Sequence, residues 1–378
     1  MPSPIAEAQR VRARENWKRV RNRFLRRAGA NVDSAPADAE SPQGRFDQRQ
    51  QYGPNRDLID RLTEGLAIAQ APPVHALPAQ VAGPLHGDGH VRFSASRGKV
   101  ERYMSSIEEA IGLNKQLPFA VTAEYDVDLM KDLIVLANRR RPGLNAHYVV
   151  GVDVFVEKVV DLIARGEKTF RIVVKVANGT HFVAFDVSNE GARPSIIAVE
   201  PSTLGQNCEN DLAPLCRDSL AKELPDAAFL IVESDVLSAR GACGMFSFFF
   251  AKTMLKEAEA LRSLHKDSMS GEFDSSERLA PGEALPPRFM KHTQSKNRIL
   301  RYCASSQGYP RPLVNKRGRC DQPDQRGQSV LRRYIRHFGE WRAFGGEKRA
   351  FSRSIEVKRL FEYQDLLKAI DEEIDRQQ

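Results

Sequence analysis

The sequence predicts an α/β (α+β) fold in which a central sheet is flanked by helices. Three apolar runs of strand length, Phe170–Val176, Ser195–Glu200 and Ala228–Leu237, are bounded by turn or polar residues, as buried strands are. Apolar residues recur at helical spacing in Asp126–Ala137 and Phe155–Ala164. Strands and amphipathic helices in one segment predict a sheet with helices packed against it.

The first 95 residues have a different composition from this segment. Residues 1–30 predict a basic amphipathic helix, with Trp17, Val20 and Phe24 on one face and nine Lys and Arg residues against two Glu. Such a helix can lie on an anionic membrane surface or contact nucleic acid. Residues 31–95 are rich in Ala, Pro, Gly, Gln and Asp, so we expect them to be disordered. No apolar run in the chain reaches the roughly 20 residues that span a bilayer, and no integral membrane segment is expected.

Cys243 lies between a strand-like run that ends at Leu237 and a predicted helix that continues through Leu261. A cysteine on the first turn of a helix faces unpaired amide N–H groups and the positive end of the helix dipole, which favour the thiolate. Gly241 and Gly244 permit a sharp turn and the close approach of a substrate. Taken alone, however, a free cysteine is more often a small buried hydrophobe.

Two further candidate residues lie at the ends of neighbouring strands. The turn sequence Ala177–Gly179 predicts a hairpin, after which His181 opens one strand, and Glu200 closes the next. The start of one antiparallel strand lies beside the end of its neighbour, so we expect His181 and Glu200 to meet. With Cys243 they would supply a thiolate, an imidazole to deprotonate it and a carboxylate to orient the imidazole. The structural alternatives are a polar residue flanking a hairpin for His181 and a solvated strand end for Glu200.

With these residues in the order His, Glu, Cys, the sequence resembles the YopJ family of bacterial type III effectors over roughly residues 100–360. The segments that carry the resemblance are Gly179–His181, Glu200–Pro201, Ala242–Ser247 followed by Ala251 and Lys252, Leu285–Ser295 and Val314–Gly318. The combination of these motifs is specific, whereas each is weak alone.

The resemblance implies a fold similar to SUMO-specific cysteine proteases, used for acetyl transfer. Acetyl-CoA would acylate Cys243, His181 would act as general base, and Glu200 would orient it. The acetyl group would pass to Ser, Thr or Lys of host signalling or immune proteins. Inositol hexakisphosphate would activate the enzyme, and Lys316 would be an autoacetylation site. The resemblance also implies secretion by a type III system into the host cell, to the cytosol, a membrane surface or the nucleus, with a secretion chaperone binding the N-terminal region.

Leu237 departs from the family pattern. Related proteases and many family members carry a glutamine six residues before the cysteine, where it helps to form the oxyanion hole. Leucine cannot donate this hydrogen bond, and the loss of one oxyanion donor typically lowers the rate by about 10²–10³. Backbone N–H groups near Cys243 or another residue would have to replace it, or the enzyme would be slow.

The net charge of +8 is distributed unevenly. Residues 291–359 carry eighteen Lys and Arg against five Asp and Glu, which indicates a polyanion site. No nucleic-acid-binding signature is present, so a compact polyphosphate explains this charge better than nucleic acid does. The predicted contacts for inositol hexakisphosphate are Lys291, Arg298, Arg301, Arg333, Arg342 and Arg353, together with Lys252 and Arg140. For each residue alone, a solvated basic surface is the alternative interpretation.

The sequence thus predicts three parts. Residues 1–95 form a disordered secretion and translocation region, 96–265 the catalytic core, and 266–378 a mostly helical basic regulatory region. The last part ends in an acidic amphipathic helix, Leu360–Arg376, which we expect to pack on the basic part. Five cysteines without a CxxC pair indicate a reducing compartment and neither a disulfide framework nor a metal site.

Two other functions fit the same residues. A cysteine protease or deubiquitinase would have the same arrangement of Cys243, His181 and Glu200. The basic segment and Lys316 favour the acetyltransferase, because a ubiquitin-like protease has no need of them. A binding effector without catalysis is the third hypothesis, and Leu237 is the residue that supports it.

Overall fold

The computed structural model of the chain describes residues 92–113, 117–202, 212–237, 241–273, 278–279, 284–305, 313–314, 320–321, 334, 337–342 and 348–377. The predictions for the N-terminal helix, the linker up to residue 91, Lys316 and Arg333 fall outside these residues. No helix within the described residues is both long enough and apolar enough to cross a membrane.

A six-stranded mixed sheet forms the centre, and its strands lie in chain order from one edge to the other. β1 pairs parallel to β2, β2–β3 and β3–β4 are antiparallel, and β4–β5 and β5–β6 are parallel. The strand bounds are β1 Ala146–Val150, β2 Thr169–Lys175, β3 Phe182–Ser188, β4 Ser195–Glu200, β5 Ala228–Glu233 and β6 Arg278–Leu279. The predicted α/β class and the hairpin that precedes His181 are therefore present.

Apolar side chains of the central strands alternate between two cores, one on each face of the sheet. In β2, for example, Val173 belongs to one hydrophobic cluster, whereas Ile172 and Val174 belong to the other. Both faces are covered, so these strands appear in the sequence as continuous apolar runs instead of alternating ones.

Helices cover both faces of the sheet. α3 (Val152–Ala164) and α4 (Leu212–Glu223) bury their apolar residues in one cluster. The other face is covered by α1 (Arg97–Gly112), α2 (Phe119–Arg140), α5 (Cys243–Lys256) and α6 (Ala258–Ser270). All residues of α5 from Gly244 to Met254 are buried, as expected of a helix that is apolar on every side.

The C-terminal part contains both helices and short strands. A 3₁₀ helix (Pro287–His292) and α7 (Lys296–Ser305) are followed by β7 (Leu313–Val314) paired with β8 (Cys320–Asp321), and β9 (Phe338–Arg342) paired with β10 (Lys348–Ser352). The β9–β10 pair differs from the mostly helical region that charge and periodicity predicted. Phe338 and Trp341 in β9 and Phe351 in β10 are aromatic residues, which favour strands.

The predicted acidic helix is α8 (Ser354–Asp375), which begins earlier than expected. Its buried residues join the hydrophobic core on the side of α1, α2 and α5. Its acidic residues also pair with this side, for example Asp371 with Arg97 at 2.8 Å. Its acidic residues and its apolar stripe thus find partners on the core helices, and Ser354 at its start contacts His292 of the basic segment at 2.7 Å. Wider packing of this helix on the basic segment stays a prediction.

Candidate active site

Cys243 is the first residue of α5, and Ala242 is the N-cap. Gly241 has a φ of 84°, a backbone conformation that glycine adopts without steric cost. This turn leads directly into the helix, and Cys243 at the helix start is half-buried. The first N–H groups of a helix have no hydrogen-bond partner within the helix, so Cys243 lies beside N–H groups that are available as donors.

Strand register brings His181 and Glu200 together. In the β3–β4 pair, Ala184 lies opposite Val199, so the residue before β3 meets the end of β4. His181 Nε2 lies 2.9 Å from Glu200 Oε1 and 3.1 Å from Oε2. Ser202 donates to Glu200 Oε1 through its N–H at 3.1 Å and its hydroxyl at 2.8 Å. Ser202, which the sequence analysis missed, thus holds the carboxylate that faces the imidazole.

The electrostatics of His181 are dominated by its two neighbours. Burial alone would lower the pKa of His181, but the Glu200 charge and hydrogen bonds to Cys243 and Glu200 outweigh it and raise this pKa to about 11. Glu200 is fully buried. Because Nε2 faces Glu200, Nδ1 is the ring nitrogen left for the sulfur of Cys243. The three predicted residues therefore meet, and the imidazole is held in its charged form at neutral pH.

The residues that directly follow β5 are anchored by hydrogen bonds. Ser234 donates to the carbonyl of Glu200 through its N–H at 2.9 Å and its hydroxyl at 2.7 Å. Val236 N–H donates to the carbonyl of Pro201 at 3.1 Å, and its own carbonyl accepts from Gln294 N–H at 2.9 Å. The side chain of Leu237 packs against the hydrophobic core. Ser234 and Val236 thus tie the chain after β5 to the end of β4 and to Gln294.

A buried polar cluster lies behind the nucleophile helix, and the sequence analysis assigned it no role. Asp126 of α2 accepts from Met245 N–H at 3.0 Å. Arg359 of α8 donates to both carboxylate oxygens of Asp126 at 2.9 Å and to the carbonyl of Gly241 at 3.1 Å. Tyr363 donates its hydroxyl to Asp126 at 3.0 Å. No local pattern signals this cluster, because its members on α2, α5 and α8 lie more than 100 residues apart along the chain.

Two of the predicted basic residues meet at Asp235. Arg298 Nε lies 2.8 Å from Asp235 Oδ1, and Arg301 Nη2 lies 3.0 Å from Oδ2. Asp235 has a φ of 46°, in the left-handed region that most residues avoid. The pair of arginines therefore contacts the anchored residues after β5, eight residues before Cys243 in the sequence.

Two other predicted basic residues face helix α8. Arg140 pairs with Asp365 at 2.7 Å, and Lys252 pairs with Glu362 at 2.5 Å. Lys252 is only 4% exposed, so an external anion reaches it only if this pair opens. The remaining residues of the prediction are placed as follows: Arg353 donates to the carbonyl of Ile111 at 3.1 Å, Lys291 lies in the 3₁₀ helix, Arg342 lies in β9, and Arg333 and Lys316 are outside the described residues.

A second set of acid, imidazole and hydroxyl lies at the opposite end of β3 and β4. His265 contacts Ser195 Oγ at 2.9 Å and Asp186 at 3.3 Å, and Asp186 also pairs with Arg171 at 2.7 Å. Ser195 is fully buried, and both His265 and Asp186 are less than 5% exposed. A substrate cannot reach this serine, so the set stabilises the sheet and α6.

The fold and the site define an α/β protein with a cysteine, a histidine and a buried carboxylate at one end of the central strands of a mixed sheet. Residues 100–365 match the family described as YopJ Serine/Threonine acetyltransferase. This match covers more than half of the chain, and the chain belongs to that family of acetyltransferases.

Individual relatives agree with this assignment. The serine/threonine-protein acetyltransferase YopJ of Yersinia pseudotuberculosis is 27% identical over 253 residues, which cover 65% of this chain and 83% of the relative. YopJ of Yersinia pestis gives the same values. The solved structure of an AvrA deletion variant with IP6 and CoA has 25% identity and a TM-score of 0.60, and the match covers 72% of this chain and 99% of that one. HopZ1a in complex with IP6 has 19% identity and a TM-score of 0.58, with 72% and 93% covered. The predicted family and fold class are confirmed.

Proposed function

We propose that this chain transfers an acetyl group from acetyl-CoA, through an acylated Cys243, to Ser, Thr or Lys of host proteins. The observation that carries the proposal is the contact of His181 with both the buried Glu200 and Cys243 at the start of α5. We further propose delivery by a type III system into the host cell, with host signalling or immune proteins as targets and a secretion chaperone as a partner of residues 1–95.

In the first half-reaction, the sulfur of Cys243 attacks the carbonyl carbon of the acetyl thioester. The bond from this carbon to the CoA sulfur breaks, and the CoA sulfur leaves with the proton of the His181 imidazolium. A thiolate beside a charged imidazole is the reactive form of a cysteine nucleophile. Glu200 stays ionised and holds the ring so that Nδ1 faces the sulfur.

In the second half-reaction, the neutral His181 takes the proton of the acceptor as its oxygen or nitrogen attacks the acetyl carbon. The carbon–sulfur bond to Cys243 then breaks, and the thiolate and the imidazolium are restored. Cys243 contributes to the raised pKa of His181, and acylation removes this contribution. The pKa of His181 is therefore lower in the acyl-enzyme, and more of the imidazole is neutral at the stage where it acts as a base.

Backbone N–H groups of α5 can take the place of the oxyanion-hole glutamine, which is replaced by Leu237 in this chain. In α5, Met245 N–H is bound by Asp126 and Phe246 N–H by the carbonyl of Ala242. The N–H groups of Cys243 and Gly244 precede them on the same turn, and the helix itself supplies no acceptor for either. We propose that these two groups stabilise the oxyanion, which removes the need for a side-chain donor at Leu237.

We propose that inositol hexakisphosphate activates the enzyme by binding the basic residues of the C-terminal part. The planar guanidinium group of arginine can donate two parallel hydrogen bonds to phosphate oxygens. Arg298 and Arg301 already bind one anion together, the carboxylate of Asp235. Arg301 is 72% exposed, so a phosphate can reach it. Arg140 is exposed as well, whereas Lys252 belongs to a buried pair and contributes only after a rearrangement. Lys291, Arg333, Arg342 and Arg353 remain further proposed contacts, with Lys316 as the autoacetylation site.

The proposal is tested by incubating the purified chain with radiolabelled acetyl-CoA, with and without inositol hexakisphosphate. We expect label on the wild-type chain that requires the inositol phosphate and is absent from Cys243→Ala. Cys216→Ala is the matched control, because Cys216 is a fully buried residue of α4 and burial raises the pKa of its thiol. This variant should keep the label, and mass spectrometry should locate it on Lys316.

An absence of label on the wild-type chain under every condition overturns the proposal. A ubiquitin-like probe that then reacts with Cys243 would identify a protease. If neither reagent reacts while the chain still binds a host protein equally well with Cys243→Ala, the protein is a binding effector without catalysis.

A further inference from the structure

The buried ion pair between Asp126 and Arg359 connects three helices at the nucleophile. Both side chains are 0% exposed, and they come from α2 and α8, which lie at distant positions in the chain. Glu356, one turn before Arg359 on α8, contacts Nη1 of its guanidinium. A fully buried charge pair needs several good hydrogen bonds to be tolerated, and here these bonds are made to the backbone around Cys243.

The two residues hold the chain on both sides of Cys243. Arg359 Nη2 donates to the carbonyl of Gly241, two residues before the cysteine, at 3.1 Å. Asp126 Oδ2 accepts from the N–H of Met245, two residues after it, at 3.0 Å. A side chain at Gly244 would place its Cβ 2.8 Å from Asp126 Cβ, so the carboxylate lies directly against the first turn of α5.

Arg359 also balances the charge of Asp126. An unpaired carboxylate at the N-terminus of α5 would oppose a negative sulfur at Cys243, whereas the guanidinium neutralises it within the cluster. Among the residues that the structure describes, the charged or titratable groups around Cys243 are His181 beside β3, Glu200 on β4, Asp126 on α2, and Arg359, Glu356 and Tyr363 on α8.

We propose that Arg359 is a positioning residue for Cys243, which fixes the turn before the cysteine directly and the helix turn after it through Asp126. The inference rests on the proposed role of Cys243 as the nucleophile. It makes the C-terminal helix part of the catalytic apparatus, although Arg359 touches no reacting atom. A lysine at this position would keep the charge but could not bind both Asp126 oxygens and the Gly241 carbonyl at once.

The test measures alkylation of Cys243 by iodoacetamide from pH 5 to 10 in wild-type protein and in Arg359→Lys. Cys243 is the only cysteine of the tryptic peptide 241–252, so mass spectrometry of this peptide follows it alone. The net charge is the same in both proteins, and a change in the pH profile therefore reports the position of the sulfur relative to His181. We expect the midpoint to rise by about one pH unit, because a displaced sulfur loses part of its contact with His181.

Arg171→Lys is the matched control. Arg171 forms an equally buried ion pair with Asp186, at 2.7 Å with 4% and 5% exposure. Asp186 is five residues along the chain from His181, about 16 Å in an extended strand. This variant should lower the unfolding temperature to a similar extent and leave the alkylation midpoint of Cys243 in place.

An unchanged midpoint in folded Arg359→Lys, or an equal shift in Arg171→Lys, overturns the proposal. If Arg359→Lys does not fold, Tyr363→Phe takes its place, because it removes one bond to Asp126 and keeps the volume and all charges. A rise in its midpoint then supports the proposal, and an unchanged midpoint overturns it. Alkylation requires neither acetyl-CoA nor an acceptor, so this result stands apart from any failure of the acetyl-transfer assay.

Discussion

Lys252 and Glu362 form a buried ion pair that ties the middle of α5 to α8. The Nζ to Oε1 distance is 2.5 Å, and the side chains are 4% and 8% exposed. Lys358 contacts the same carboxylate, and the Lys252 ammonium lies 3.8 Å from the centroid of the Phe248 ring. Burial alone would raise the pKa of Glu362, but the two lysines outweigh it and lower this pKa to about 2. The nucleophile helix is thus held to the C-terminal helix at a second point.

Glu362→Gln should make the free energy of unfolding less dependent on pH between pH 6 and pH 3. A carboxylate whose pKa is lowered on folding stabilises the protein above about pH 4.5, and this contribution is lost as the pH falls towards 2. We expect the variant to be less stable than wild type by about 3 kcal/mol at pH 6, and this difference to fall by roughly half at pH 3. Urea unfolding at the two pH values measures it.

The control for this prediction is Glu259→Gln. Glu259 is 88% exposed and pairs with Arg262 on the surface, so its loss should change stability by less than about 0.5 kcal/mol at either pH. Equal destabilisation of Glu362→Gln at pH 6 and pH 3 would contradict the assigned titration of Glu362.

Glu200→Gln should lower the pKa of His181. The raised pKa of about 11 depends on the Glu200 charge, and the charged imidazole contributes stability that is present below pH 6.5 and lost as the pH rises through 11. We expect the titration of His181, followed by NMR of its ring, to move down by roughly two pH units or more. Acetyl transfer should fall by about 10²–10⁴. Ser202→Ala, which keeps the Glu200 charge, should move the titration much less; a shift as large as that in Glu200→Gln would contradict this account.

The sequence was sufficient to predict strands β2 to β5 and the meeting of three side chains, but not the outer strands β1 and β6. The strand-like runs predicted β2, β4 and β5, and the expected antiparallel pairing placed His181 and Glu200 at the same end of two neighbouring strands. The position of Cys243 at a helix start followed from the change between a strand-like run and a helical one. Each of these features depends on a short stretch of sequence or on one hairpin, and patterns of that length can be recognised in the sequence.

The residues that hold Cys243 and Glu200 in place could not be predicted from such local patterns. Asp126 lies in a helix that the sequence analysis treated as core packing, and Arg359 lies at the end of the basic segment 291–359, whose charge predicted a polyanion site. Their contact joins positions 233 residues apart, and no local pattern encodes a pair at that separation. Ser202 was missed because a serine after Glu200–Pro201 resembles an ordinary turn residue.

Gly244→Ala should destabilise the protein and disturb the nucleophile. The new Cβ would lie 2.8 Å from Asp126 Cβ, and Asp126 is fixed by Arg359 and Tyr363, so the strain should cost about 1–3 kcal/mol. Gly98→Ala in α1 is the control, since no atom lies within 4 Å of its added Cβ and alanine favours a helix by about 0.5–1 kcal/mol. Thermal unfolding measures both; equal stability of Gly244→Ala and wild type would show that Asp126 can move away.

Asp235→Asn should tighten the binding of inositol hexakisphosphate if Arg298 and Arg301 bind its phosphates. Asp235 competes for both guanidinium groups, and asparagine tolerates its left-handed backbone without supplying the negative charge. Calorimetric titration should show an affinity about 3–10 times higher than that of wild type. Asp365→Asn is the matched variant, because it frees Arg140 from a single surface pair. A gain of affinity only in Asp365→Asn would move the site to Arg140, and no gain in either variant would exclude competition by both acidic residues.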